Sequence, residues 1–182
     1  SALKNKKHVV TANKALIAKY GDQLAKIAEK NKVNLEFEAA VCGGLPIIRS
    51  LKEGLIANKI LRIYGILNGT SNYILSSMDK QNKSFNEVLS NAKKLGYAEA
   101  NPSADLNGDD VAAKLKILSS LCFNSFLNHN IYVEGIKEID KRDIDNANKL
   151  GYKIKLLGYA EILNNKIYQR VHPVLIKKSS YV

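Results

Sequence analysis

Apolar positions in the first two thirds of the chain recur with two periods, and their alternation reads as helices interleaved with short strands. Val9-Val10-Thr11 predicts a short β segment. Ala12 to Lys30 predicts an amphipathic helix, with Leu16, Ile17, Leu24, Ile27 and Ala28 on one side and lysines on the other. Asn34 to Val41 reads as a strand stopped by Gly43-Gly44. Pro46 suits the first turn of a helix that runs through Ile47, Ile48, Leu51 and Leu55 to about Asn58. Ile60 to Leu67 predicts a second strand. Thr70 or Ser71 is then placed to cap a helix over Asn72 to Met78. Phe85 to Leu95 predicts another helix, closed by Gly96. A polar loop follows and leads into a helix that reaches about Phe123.

Beyond Ile131 the period changes. Ile131 to Ile136 reads as a strand, Arg142 to Leu150 as a helix ended by Gly151, and Tyr152 to Ile162 as a strand. Asn164-Asn165 turns it back into Ile167 to Val171, a hairpin. His172-Pro173 is expected to interrupt this strand before Val174-Leu175-Ile176 resumes it. The pattern predicts an α+β domain, with helices packed on one side of a mixed β-sheet. Ile154, Leu156 and Gly158 alternate with Lys155, Leu157 and Tyr159, so both faces of the sheet carry apolar residues. Helices on one side cannot cover both. The second face is therefore expected to be an interface between two copies of the chain.

The strongest chemical signal is the loop Gly96–Asp109, with Glu99, Asp105 and Asp109, running straight into Asp110 and Lys114. With Asp110 at zero and about 100° per residue, Ile117, Leu121, Lys114, Leu118, Val111, Cys122 and Leu115 share an arc of about 160°. Lys116, Ser119 and Ser120 fall opposite and are expected to face water. A lysine within an apolar arc has a desolvated ammonium, and a carboxylate one turn earlier holds it charged. That pairing suits proton transfer to a substrate oxygen. The same spacing also occurs in solvated ion pairs worth a few tenths of a kcal/mol, roughly, and residue chemistry alone leaves both readings open.

Two further segments join a strand end to a helix start. Glu38 to Pro46, with Gly43-Gly44, is either a tight connection or an oxygen cage for a hard cation, formed by carbonyls and the Glu38 carboxylate. Asn68-Gly69-Thr70-Ser71-Asn72-Tyr73 places small polar groups at a helix N-terminus, which serves capping or anion binding equally well.

Composition narrows the class. With 182 residues, 46% hydrophobic and 25% charged, the chain has ordinary globular character. No apolar run is long enough for a membrane helix, so no membrane partner is expected. The net charge of +11 comes from lysines spread along the whole chain, without an aromatic RNA-binding motif or a finger. Solvated helix faces account for it better than a nucleic-acid partner. Cys42 and Cys122 form no metal or disulfide pattern, which points to a reducing cytoplasm.

Four stretches, HVVTANKALIA (8–18), EAAVCGGLPIIRSLKEGL (38–55), GILNGTSNYIL (65–75) and GYAEANPSADLNGDDVAAKL (96–115), together resemble homoserine dehydrogenases, in the family's order. The resemblance implies reduction of L-aspartate 4-semialdehyde to L-homoserine with NADPH or NADH, a step of amino-acid biosynthesis. It implies Lys114 as proton donor, and Asp110 and Glu99 as carboxylates contacting the amino-acid substrate. Gly96 falls at the boundary of cofactor and substrate, and Lys14 near nicotinamide and substrate. Glu38, with the carbonyls of Val41, Gly43 and Leu45, matches a sodium site. The family also forms homodimers through the sheet. Its Gly-x-Gly-x-x-Gly turn does not occur here, so residues 1–182 are expected to form a single substrate-binding domain, inactive without a separate nucleotide-binding unit. A sister dehydrogenase for another small aldehyde or keto compound is the enzymatic alternative, and a basic binding module the non-enzymatic one.

Overall fold

The computed structural model describes residues 1–123 and 131–180; His129, one of the three histidines, lies outside them. The described residues fall into two compact units, one of residues 1–63, 113–123 and 161–166, the other of residues 64–112, 131–160 and 167–180.

In the first unit, strand β1 (Val9–Val10) pairs in parallel with β2 (Leu35–Glu36), and helix α1 (Lys14–Lys30) connects them. Asn13 caps α1, its Oδ1 accepting from the Leu16 amide at 3.0 Å, and Ile17 and Ala28 supply the buried side. The strand expected over Asn34 to Val41 pairs only at Leu35 and Glu36. A 3-10 turn at Glu38–Ala40 takes over, because the Glu38 carboxylate bends back to accept the amides of Ile48 (2.9 Å) and Arg49 (2.8 Å). Those amides belong to the short helix α2 (Ile47–Arg49), which widens into a π turn at Ser50–Gly54 and stops earlier than expected. There the Ser50 hydroxyl donates to the Pro46 carbonyl at 2.7 Å and the Leu55 amide reaches the Ser50 carbonyl at 2.8 Å, a widened turn in place of the ordinary ladder.

The second unit is built on a four-stranded sheet of order β3-β5-β6-β4, comprising β3 (Arg62–Gly65), β4 (Tyr132–Val133), β5 (Tyr152–Leu163) and β6 (Lys166–Lys177). β4 runs parallel to β6 with Val133 opposite Val171, while β5 and β6 form a hairpin, so the sheet is mixed. Asn164 and Asn165 both adopt positive φ, 50° and 59°, as a two-residue hairpin turn requires. The predicted strand over Ile131 to Ile136 keeps only two paired residues, because the chain leaves the sheet at Gly135 to bond Leu106.

β6 passes through His172-Pro173 without the expected break. The Val171 carbonyl accepts from Glu134 on the β4 side, so Val171 faces that edge, and Pro173, two residues on, faces it too. There β4 has already ended, and no ladder partner is lost at a proline nitrogen. Helices α3 (Gly69–Gln81), α4 (Phe85–Lys94) and α7 (Lys141–Lys149) complete the layer, the last two opened by capping boxes at Ser84/Glu87 and Asp140/Asp143. Ile74, Leu75, Met78, Val88, Ile136, Leu156 and Ala160 form its interior, each at most 2% exposed.

The other face of β5 is less uniform than its alternation suggests. The Lys155 ammonium donates to Asn72 Oδ1 (2.7 Å) and Ser76 Oγ (2.6 Å) on α3, and this partial burial, with the charge of Lys153 nearby, lowers its pKa below the ordinary lysine value. Further along the face, Tyr64, Leu157, Tyr159, Val174 and Ile176 surround an open depression of about 480 Å³. The Arg170 guanidinium lies over the Tyr159 ring at 4.9 Å.

Candidate active site

The site begins where β3 leaves the sheet. Asn68, only 5% exposed, caps α3: its Oδ1 accepts from the Ser71 amide at 2.7 Å. The cap therefore falls on Asn68 rather than on Thr70 or Ser71, and α3 spans Gly69–Gln81 rather than Asn72 to Met78. An asparagine directly before the first helical residue caps as well as serine does, and that was the signal available in the sequence.

With Oδ1 committed to the cap, the Asn68 amide nitrogen keeps two hydrogens. It donates to Asp105 Oδ1 at 2.6 Å and to Asp110 Oδ2 at 2.9 Å. Asp105 sits on α5 (Ser103–Asn107), a short helix inside the stretch expected to be a loop, and Asp110 in the first turn of α6 (Asp109–Cys122). Gly108 joins them at φ +89°, and a Cβ there would come within 3.1 Å of Val133 and 3.2 Å of Val171, so both backbone shape and space require glycine. Asp110 is 9% exposed, and a carboxylate that far from water needs such donors.

The segment before α5 is fastened to α3. The Thr70 hydroxyl donates to the Tyr97 carbonyl at 2.8 Å, and the Tyr73 and Tyr97 rings stack at 4.3 Å. Lys93 adds a bond to the Ala100 carbonyl at 3.1 Å. Glu99 stands exposed on this fastened segment, and Gly96 opens it at φ +78°.

Lys114 lies on α6 one turn beyond Asp110, half-buried, in a helix where Val111, Leu115 and Leu118 are at most 2% exposed. The expected wet face of α6 is absent over Lys116 and Ser119. Lys116 is half-buried, and Ser119 is fully buried, its hydroxyl donating to the Leu115 carbonyl at 2.6 Å. A serine that bonds back one turn carries no unmet polar group, so it can sit on any side of a buried helix. Burial pushes the Cys122 thiol up to about 11, which disfavours the thiolate.

The remaining predicted residues belong to the first unit. Lys14 is half-buried as the opening residue of α1. Glu38 spends one lone pair of each carboxylate oxygen on the start of α2, and the segment from Val41 to Leu45 turns through Cys42 at φ 51° and Gly44 at φ 89°. Among the described residues, no group of three His, Cys, Asp or Glu side chains could hold a metal ion. The structure thus gathers Asp105 and Asp110 on Asn68 and sets Lys114 on the same helix as Asp110, with Glu99 on a pinned segment of the same unit as the two aspartates.

The fold and this centre define an α+β protein whose polar core is a pair of ordered carboxylates leading into a helix lysine. Comparison with known sequences narrows the class. Residues 46–182 match the sequence model described as homoserine dehydrogenase, and residues 1–38 that of the homoserine dehydrogenase NAD binding domain. The homoserine dehydrogenase of Neisseria gonorrhoeae is 51% identical over 179 residues, covering 98% of this chain and 41% of the relative. That of Pseudomonas aeruginosa is 48% identical, covering 96% and 41%. Among solved structures, a homoserine dehydrogenase from Thiobacillus denitrificans superposes with a TM-score of 0.95 at 49% identity, over 99% of this chain and 42% of that one. A hyperthermophilic archaeal homoserine dehydrogenase in complex with NADPH gives 0.83 at 31% identity, over 99% and 52%. The chain belongs to the homoserine dehydrogenase family. It spans about two fifths of the length of the curated relatives it matches.

Proposed function

We propose that this chain supplies the substrate-binding and proton-transfer part of a homoserine dehydrogenase, interconverting L-aspartate 4-semialdehyde and L-homoserine with NADP or NAD. The observation that carries the reading is the carboxylate pair on Asn68, one helical turn before a half-buried lysine. Glu99, Asp105 and Asp110 offer the substrate ammonium three carboxylates, two of them already ordered. Lys114 gives its ammonium proton to the carbonyl oxygen as that oxygen gains negative charge, and takes it back in the oxidative direction. A bound nicotinamide supplies or accepts the hydride at the carbonyl carbon. Lys14 in the first unit and Gly96 in the second are each proposed, from the family resemblance, as cofactor contacts. The open space beside Gly96, where an added Cβ meets nothing within 4 Å, suits such an approach.

The donor set of Glu38 with the carbonyls of Val41, Gly43 and Leu45 is all oxygen with a single negative charge, and suits a monovalent cation such as sodium. Two free cysteines suit a reducing compartment such as the cytoplasm. Among the described residues, no helix is long and apolar enough to cross a membrane. Nucleotide binding rests mainly on residues outside 1–182, since the glycine-rich phosphate turn does not occur in this sequence.

The direct test is NADPH-dependent reduction of L-aspartate 4-semialdehyde, and oxidation of L-homoserine, by the full-length protein that carries this segment. Turnover of neither substrate contradicts the reading. The outer face of the sheet, with Tyr64, Leu157, Tyr159, Val174 and Ile176, is proposed to pack on a second copy. Sedimentation equilibrium at micromolar concentration is expected to give twice the 20.1 kDa chain mass, and Tyr159→Glu is expected to return the monomer. A concentration-independent 20.1 kDa species from the unaltered chain excludes the dimer.

A further inference from the structure

We propose that Asn68 is a positioning residue for substrate binding: one amide holds both ammonium-binding carboxylates in place while its oxygen anchors the helix behind them. The proposal rests on the homoserine dehydrogenase reading and assigns within it a residue that never touches the reacting atoms.

Three observations carry it. The first is commitment. Both N–H groups of the Asn68 amide donate, at 2.6 and 2.9 Å, and its oxygen accepts at 2.7 Å, each bond reaching a different segment of the chain. The second is burial. At 5% exposure, water cannot replace these bonds without opening the unit, and Ser71 beside it is fully buried. The third is charge. Two carboxylates that share one amide lie close enough to repel each other, and the two N–H groups between them help to offset that repulsion. An arriving ammonium then finds both acids already oriented.

Two substitutions separate this role from capping alone. Asn68→Ser keeps a capping oxygen and replaces the two amide N–H donors with a single hydroxyl on a shorter side chain, so the two acids can no longer both be held. Asn68→Asp keeps the cap and the shape, and puts a third carboxylate where the donors stood. For Asn68→Ser in the full-length enzyme, KM for L-homoserine is expected to rise about tenfold or more, with kcat changed less than KM. For Asn68→Asp, the acid limb of the kcat/KM profile is expected to move upward by on the order of one pH unit. A residue that only capped α3 would move neither. The wild-type chain gives a reading that needs neither folding of a variant nor turnover. In nitrogen-15 spectra, both side-chain amide protons of Asn68 are expected to shift together as the two acids are protonated. Unchanged KM and pH profile in the folded variants, or an Asn68 amide indifferent to that titration, overturns the proposal. If the amide responds while the enzyme turns over neither substrate, the bridge stands and the functional reading falls.

Discussion

Lys114→Ala in the full-length enzyme is expected to lower kcat by about 10²–10⁴, the span for losing a positioned general acid. Lys114 sits half-buried on a helix whose neighbouring positions, Val111, Leu115 and Leu118, are almost wholly buried, so its ammonium lies beside apolar surface. Asp110, one turn earlier, is itself held by Asn68 and cannot swing away. Without the lysine, the oxygen that gains charge as hydride arrives has water as its proton source. KM should change less than kcat, because the carboxylates proposed to bind the substrate ammonium remain. Lys114→Arg separates charge from proton transfer: a guanidinium keeps the positive charge but gives up a proton poorly. If the arginine variant is as slow as the alanine variant, the proton is what matters. Turnover within about threefold of wild type in Lys114→Ala, with circular dichroism unchanged, removes Lys114 from the mechanism.

Much of this centre was legible in the sequence because it is local. The placement of Asp110 and Lys114 on one helix follows from spacing alone, and the helix appears where the apolar arc put it, at Asp109–Cys122. The Asn164-Asn165 hairpin, the Gly96 and Gly151 helix ends and the α1 boundaries are local as well, set by turn and cap chemistry within a few residues. What stayed hidden depends on distant partners. Asn68 meets Asp105 and Asp110 across 37 and 42 residues, and nothing in its own neighbourhood says that its amide is needed there. Glu38 shortens a strand because it caps a helix ten residues on. Ser119 and Pro173 break simple rules for the same reason: a back-bond one turn away and the early end of β4 make harmless what alternation marks as polar or disruptive. The pattern of apolar residues carried the elements; the partners of polar residues had to be seen.

The second large effect is expected at a residue that touches no substrate. Gly135 lies where the chain crosses from β4 to the back of α5, and it is clamped on both sides. The Glu134 amide donates to the Val171 carbonyl at 2.8 Å, and the Ile136 amide to the Leu106 carbonyl at 2.8 Å, with Ile136 fully buried. A Cβ on Gly135 would run into the Leu106 carbonyl oxygen and lie 2.7 Å and 2.8 Å from the Asn107 Cα and carbonyl carbon, all of them backbone atoms. Backbone cannot turn aside as a side chain does, so either both hydrogen bonds stretch or α5 moves. We expect Gly135→Ala to cost about 3 kcal/mol or more, at the upper end for an overpacked site. The displacement should reach the site as well, because Asp105 belongs to α5 and follows its backbone away from Asn68. Two other glycines calibrate the result. At Gly108 a Cβ comes tightly against the methyl groups of Val133 and Val171, at 3.1 and 3.2 Å, and meets the Glu134 carbonyl oxygen at an ordinary 3.5 Å, with some left-handed strain, so Gly108→Ala should cost less. At Gly54 nothing lies within 4 Å, and Gly54→Ala should be neutral or slightly stabilising. Urea midpoints of the three variants are therefore expected in the order Gly54→Ala, Gly108→Ala, Gly135→Ala, from highest to lowest. A Gly135→Ala protein that unfolds at the same urea concentration as Gly54→Ala would mean that α5 does not rest on this crossing, and that Asp105 is held by Asn68 alone.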